Sequence, residues 1–267
     1  MSTPFDRVGL PEQVGEGRFL WNVPDQWQQG RGAFGGLVLG ALCRAAQAFE
    51  GDPTRAPRAM NAELTGPVLP GEARIQTRLL RRGNAVTTLD VALTQEDEIR
   101  ARASFVLGGA RKLPTPFADT PDRDPASLDW EALKPLPMTA GGFPVFAQHF
   151  EFRLAGIAPF SSADEPRTGA WVRARTAPDR MGHAEVATYA DVLWPAGFSV
   201  ESVPKPIATI AFHLQWLADP ATLDPAAPLL CLSRVVGGEE GYVAETRELF
   251  APTGELVALN QQTFVWI

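Results

Sequence analysis

The chain has 267 residues, 45% of them hydrophobic and 21% charged, and carries a formal charge of -7 at pH 7 with a pI near 5.1. Such a composition makes ordinary globular material, long enough for two modest domains. Its acidity argues against a nucleic-acid-binding surface, which would show as a basic excess or stripe. The three histidines, His149, His183 and His213, have no metal-ligand spacing, and Cys43 and Cys231 sit in apolar runs as small buried hydrophobes, so no metal site is expected. Met1 to Asp6 lacks a basic segment followed by an apolar core, and no run of apolar residues is long enough to span a bilayer. The expectation is a cytoplasmic protein without membrane or nucleic-acid partners.

After a strand-like opening, Gly35 and Gly36 begin an apolar run that continues through Ala45, Ala46 and Phe49 and predicts a helix over 34 to 49. Glycines at a helix start leave the unsatisfied backbone N-H groups open to approach, where the positive end of the helix dipole also lies. A phosphate or a developing oxyanion can dock at such a place. The same glycines can equally serve close packing against a sheet, and both readings stand at this point. Strand patterns follow at 58 to 65, 72 to 82, 84 to 95 and 99 to 107. Arg78, Arg81 and Arg82, like Arg100, Arg102 and Arg111, read as solvated strand faces, with a small anionic ligand as the other option.

Residues 111 to 145 then change character. Seven prolines, from Pro114 to Pro144, punctuate a polar stretch with little periodicity, which reads as a linker. It divides the chain into a first unit at 1 to 110 and a second at 146 to 267. The second repeats the element order of the first: strands at 148 to 154 and 169 to 176, a helix at 184 to 194, then strands at 207 to 217, 228 to 236, 241 to 250 and 255 to 266. The closing hairpins match best. Gly83 leads through Val86, Thr87 and Thr88 to Phe105, and Gly241 leads through Ala244, Glu245 and Thr246 to Phe264, with the one-residue difference placed in the turn. That pattern supports a tandem duplication. One helix among several antiparallel strands is α+β architecture, each sheet wrapping the apolar face of its helix, and two such sheets paired edge to edge hide each other's open strands.

Taken together, Phe34-Gly35-Gly36, Leu69-Pro70-Gly71-Glu72, Arg82-Gly83-Asn84, Tyr189-Ala190-Asp191, Ile207-Ala208-Thr209-Ile210 and Asn260-Gln261-Gln262 resemble the double-hotdog acyl-CoA thioesterases of the thioesterase II type, in that order and across nearly the whole chain. The resemblance implies a tandem hotdog fold and hydrolysis of an acyl-CoA or related acyl thioester. Its cleft would lie where the helix of one hotdog meets strands of the other. Backbone N-H groups near Gly35 and Gly36, with Phe34 beside them, would polarise the thioester carbonyl, and polar side chains of the second half would hold the attacking water. No cofactor is implied, since coenzyme A enters as part of the substrate. Two hotdogs in one chain already make the usual pairing internally, leaving room for a homo-oligomer of such chains.

The family's water-holding set is an Asp, a Thr or Ser, and a Gln. Gln262 matches the last. Ala211 stands where the Asp is expected, and near the hydroxyl position only Ser233 is found. Strand alternation puts Thr209, Ala211, His213 and Gln215 on one face, with Phe212, Leu214 and Trp216 on the other, so His213 faces the cleft if the apolar side covers the helix. Histidine is well matched to general-base work near neutrality, and a histidine merely satisfied on a half-exposed strand is the plainer alternative. Asp191 is a carboxylate in an otherwise apolar helix, either catalytic or bound structurally to Asn61, Glu63 and Thr65 of the first half. Gln262 has Ala103 as its counterpart in the first repeat, which predicts one competent site per chain. Besides hydrolysis, two readings remain: a catalytically weakened acyl-CoA or acyl-carrier binding protein, motivated by Ala211, and a hotdog-type dehydratase.

Overall fold

A computed structural model describes residues 4 to 112, 128 to 138 and 142 to 267. Much of the expected linker at 111 to 145 lies outside the described residues. After a short helix α1 (Phe5–Val8) come strands β1 (Glu12–Gly15) and β2 (Arg18–Val23), then a two-residue hairpin pair, β3 (Gln28–Gln29) and β4 (Gly32–Ala33). The first long helix, α2 (Gly35–Glu50), is followed by β5 (Ala56–Leu64), β6 (Gly71–Arg82), β7 (Val86–Gln95) and β8 (Glu98–Gly108). The second half runs β9 (Phe150–Leu154), β10 (Arg167–Ala174), helix α3 (His183–Ala190), β11 (Ile207–Trp216), β12 (Leu229–Glu239), β13 (Tyr242–Phe250) and β14 (Leu256–Trp266).

Among the described residues, twelve strands form one antiparallel sheet in the order β1-β2-β6-β7-β8-β5-β11-β14-β13-β12-β10-β9. Read outward from its centre, the order matches element for element in the two halves, so a pseudo-two-fold axis passes between β5 and β11. These two strands join the halves, pairing Ala211 with Glu63 and His213 with Asn61. The edges left at the ends are the short strands β1 and β9, which limits the unpaired backbone exposed. This is the tandem hotdog: each half wraps its sheet around one helix.

Helix α2 is apolar nearly all round because it is enclosed over most of its surface, with only its last turn, at Ala48, reaching solvent. The sheet covers it from β5 to β8, and α3 packs along its remaining flank. Gly36 and Gly40, one turn apart, face α3; a Cβ on Gly36 would lie 2.6 Å from the Thr188 carbonyl, and one on Gly40 2.7 Å from the Thr188 hydroxyl. Any larger residue would force the helices apart. The Thr188 hydroxyl bonds the Gly36 carbonyl across the pair at 3.0 Å. Close packing is therefore part of what these glycines do: Gly36 meets the second helix, while Gly35 lies against Leu64 at the end of β5, where a Cβ would come within 3.1 Å of its Cδ1.

Segment 128 to 138 lies on the second half. Trp130 joins Ala155, Trp171, Leu230 and Phe250 in a small separate core, under the Arg153 guanidinium 4.0 Å from its ring. None of the described helices is long and apolar enough to cross a membrane.

Candidate active site

Helix α3 ends at Ala190, a turn earlier than the predicted 194, so Asp191 is its C-terminal cap and not a mid-helix residue. A carboxylate is disfavoured at that end of its own helix dipole. It is favoured where its oxygens go, to the start of α2. There the Gly36 backbone amide favours its ionised form, and a Cβ on Gly35 would meet Asp191 Oδ2 at 2.7 Å. The anion that lies at this helix start is therefore a carboxylate from the second half of the same chain. Phe34 caps the arrangement: its ring folds over Gly36 and stacks on Phe146 at 4.0 Å between centroids.

The other carboxylate oxygen, Asp191 Oδ1, accepts from Gln262 Nε2 at 3.2 Å. Asn61 and Glu63 of β5 and Thr65 just after it, the structural partners expected for Asp191, do not bond it. Asn61 bonds His213, and the Thr65 hydroxyl bonds the Ile99 carbonyl. Gln262 also donates to Asn260 Oδ1 at 2.9 Å, while its Oε1 accepts from the Thr209 hydroxyl at 3.2 Å. Both amide hydrogens and the amide oxygen are engaged, which fixes the side chain in one orientation.

Thr209 reaches this cluster because simple alternation fails in β11. The register steps from Thr209 opposite Phe264 to Ala211 opposite Thr263, so Ile210 is an extra residue. One inserted residue reverses the faces of everything beyond it. Thr209 therefore turns inward with Gln262 and Phe264, while Ala211, His213 and Gln215 stay on the outer face. His213 does not join Asp191 and Gln262. Its Nδ1 contacts Asn61 Oδ1 and its Nε2 the Gln215 amide, and it lines an outer-face cleft of about 390 Å³. Asn61, Glu63 and Ala211 share that lining, and Gln262 and Glu245 of the buried cluster also border it.

Two charged residues that sequence reasoning passed over complete the cluster. Arg247, 2% exposed, donates from Nε to Glu245 Oε1 at 2.8 Å and from Nη1 to the Ala190 carbonyl at 3.3 Å. Glu245, 1% exposed, further accepts from the Ser233 hydroxyl and from the Ala196 N-H, the latter at 2.7 Å. Ser233, noted near the hydroxyl position, is thereby committed to Glu245. A signal was present: matching Gly83 with Gly241 sets Glu245 and Arg247 against Thr87 and Leu89, both buried, so the two charges fall at inward positions.

Burial pushes the Asp191 carboxyl up to about 6, against the opposing pull of the Arg247 charge and the hydrogen bonds from Gln262 and Gly36, with the Glu245 charge adding to the rise. A carboxylate poised there ionises just below neutrality and is basic enough to take a proton from water in a transition state. The pseudo-symmetric place at the start of α3 is built differently. His183 stands at the first helical position, Glu185 is paired with Arg44, and Ala103 replaces Gln262.

Among solved structures, the chain resembles a conserved hotdog-fold protein of unknown function from Alicyclobacillus acidocaldarius, at 23% identity and a TM-score of 0.87, covering 100% of this chain and 99% of that one. It also resembles the tesB protein of Mycobacterium avium subs paratuberculosis, at 17% identity, a TM-score of 0.75 and 98% coverage of both chains. For the acyl-CoA thioesterase II TesB2 of Mycobacterium marinum the figures are 14%, 0.73, and 98% and 96% coverage. At such identities the likeness is one of fold. No curated protein matches the sequence. The family descriptions are more specific: that of the acyl-CoA thioesterase N-terminal domain matches residues 23–108 and that of the C-terminal domain residues 129–266. The chain belongs to the acyl-CoA thioesterase family.

Proposed function

We propose that this chain hydrolyses acyl-CoA thioesters at the junction of Asp191, Gln262 and the start of α2. The observation that carries the reading is the position of Asp191, set against the start of α2 at Gly35 and held by Gln262 Nε2, with its pKa lifted to about 6. Asp191 takes a proton from a water that Gln262 and Thr209 orient, and the oxygen attacks the thioester carbonyl carbon. The oxyanion forms against the amide end of α2, where the Gly35 N-H and the helix dipole stabilise it while the Gly36 N-H stays turned to Asp191. Collapse expels the coenzyme A thiolate, which recovers the proton from Asp191, leaving a free carboxylic acid. Asp191 thus replaces the strand carboxylate missing at Ala211. The protein groups and water suffice for this route, and coenzyme A enters only within the substrate.

The test is release of free thiol from acyl-CoA by wild type and by Asp191→Asn. Loss of roughly 10²-fold or more in kcat is expected, in the range of an essential acid-base group, and wild-type turnover in the variant would refute the assignment. A second reading has one observation in its favour, namely that His213 lines the open cleft while Asp191 is buried. In that reading His213, oriented by Asn61 and Gln215, is the base, and His213→Ala removes activity instead. Acyl-CoA binding without thiol release by the wild type would favour the binding-protein alternative.

A further inference from the structure

We infer that Arg247 and Glu245 are positioning residues for Asp191: Arg247 anchors the end of α3 through the Ala190 carbonyl and holds a compensating charge beside the catalytic carboxylate, and Glu245 fixes Arg247. This inference rests on Asp191 being the base.

Three observations carry it. First, the contact is adjacent to the reacting group. Arg247 Nη1 bonds the carbonyl of Ala190, the residue immediately before Asp191, at 3.3 Å, so a shift of the guanidinium moves the backbone from which the carboxylate hangs. Second, the pair is locked. Glu245 Oε1 receives Arg247 Nε at 2.8 Å together with the Ser233 hydroxyl, and Oε2 receives the Ala196 N-H at 2.7 Å. Glu245 therefore ties β12, β13 and the segment after α3 to one point. Third, the first repeat folds without this pair: its inward positions hold Thr87 and Leu89. Buried ion pairs are often no more stabilising than apolar residues of similar volume. The half that keeps the pair is the half with Asp191 and Gln262, which points to function over fold.

The groups facing Asp191 are few. Helix α2 offers the Gly36 N-H, β14 offers Gln262, and β13 offers Arg247 and Glu245. Strand β12 brings Cys231, whose thiol burial pushes up to about 12, leaving it neutral. Arg247 favours the ionised carboxylate, and Glu245 opposes it. Removing each should therefore move the titration of Asp191 in opposite directions, which a merely structural role would not do.

The experiment measures kcat and KM for acyl-CoA hydrolysis against pH in wild type, Arg247→Lys, Arg247→Met, Glu245→Gln and Asp191→Asn. The carboxyl carbon of Asp191 is titrated in parallel by NMR on carbon-13-labelled protein without substrate. Arg247→Met is expected to lower kcat about tenfold or more with KM little changed, and to raise the acidic midpoint by about one pH unit. Glu245→Gln is expected to lower that midpoint, and Arg247→Lys, which keeps the charge, to leave it near the wild-type value. If Arg247→Met fails to fold, Glu245→Gln and Arg247→Lys carry the test. Inactive Asp191→Asn with unshifted midpoints in the folded variants would overturn the inference alone. Fully active Asp191→Asn would overturn the assignment of the base, while the NMR titration still reports whether Arg247 and Glu245 control that carboxylate.

Discussion

Replacing Asp191 with asparagine should make the protein more stable relative to wild type as pH rises, even as it removes activity. Asp191 is 8% exposed and its carboxyl pKa is raised from 3.8 to about 6. An acid whose folded pKa lies above its unfolded value stabilises the native state while protonated, and that contribution is lost as pH rises from the unfolded pKa through the folded one. A difference of about two units corresponds to roughly 3 kcal/mol between the two plateaus. Asparagine never ionises, so it escapes this loss, although it satisfies the Gly36 N-H and Gln262 less well, at a cost of about 1–3 kcal/mol that does not vary with pH. The difference between paired measurements isolates the ionisation. Melting temperatures of both proteins should be compared from about pH 4 to about pH 8, where the advantage of Asp191→Asn should grow by roughly 5–10 °C. A difference that stays flat across that range would show that Asp191 is not a buried, raised carboxylate, and the account of the site would fall with it.

Further outcomes follow from the same geometry. The pH dependence of kcat/KM should show an acidic limb with a midpoint near the Asp191 value of about 6, activity rising as the carboxylate forms; a limb centred well below that, near an ordinary carboxylate, would contradict it. Gln262→Ala should lower kcat by about 10²-fold, some 2.7 kcal/mol of transition-state stabilisation, with a smaller change in KM, and unchanged kcat would remove Gln262 from the water-holding set. Gly35→Ala introduces a methyl 2.7 Å from Asp191 Oδ2 and 3.1 Å from Leu64 Cδ1, so it should displace the carboxylate, cut turnover about tenfold or more, and cost about 1–3 kcal/mol of stability in denaturant melts. His213→Ala should retain wild-type rates, because its hydrogen bonds run to Asn61 and Gln215 on the outer face. An inactive but folded His213→Ala would transfer the chemistry to the cleft.

Element types and order were readable because the patterns are long and the chain carries two copies. Helix α2 announced itself through its glycines and apolar run, and the hairpin of β13 and β14 through its match with β7 and β8. What single-strand alternation could not show was the extra residue at Ile210. A bulge leaves no compositional mark here, yet it turns Thr209 inward to Gln262. The end of α3 was likewise hidden, because Val192, Leu193 and Trp194 continue an apolar run after the helix has stopped. That is why the sequence alone offers Asn61, Glu63 and Thr65 to Asp191, when the group that bonds it is Gln262 and the helix start it faces is that of α2. Arg247 and Glu245 were legible only by comparing the repeats, where two charges replace Thr87 and Leu89 at inward positions.

The most direct test of the central claim is the rate of free-thiol release from acyl-CoA by wild type, Asp191→Asn and His213→Ala at about pH 8, where a carboxylate of pKa about 6 is ionised. The account predicts release by wild type and by His213→Ala at similar rates, and a fall of roughly 10²-fold or more in Asp191→Asn. Undiminished release by Asp191→Asn would contradict it.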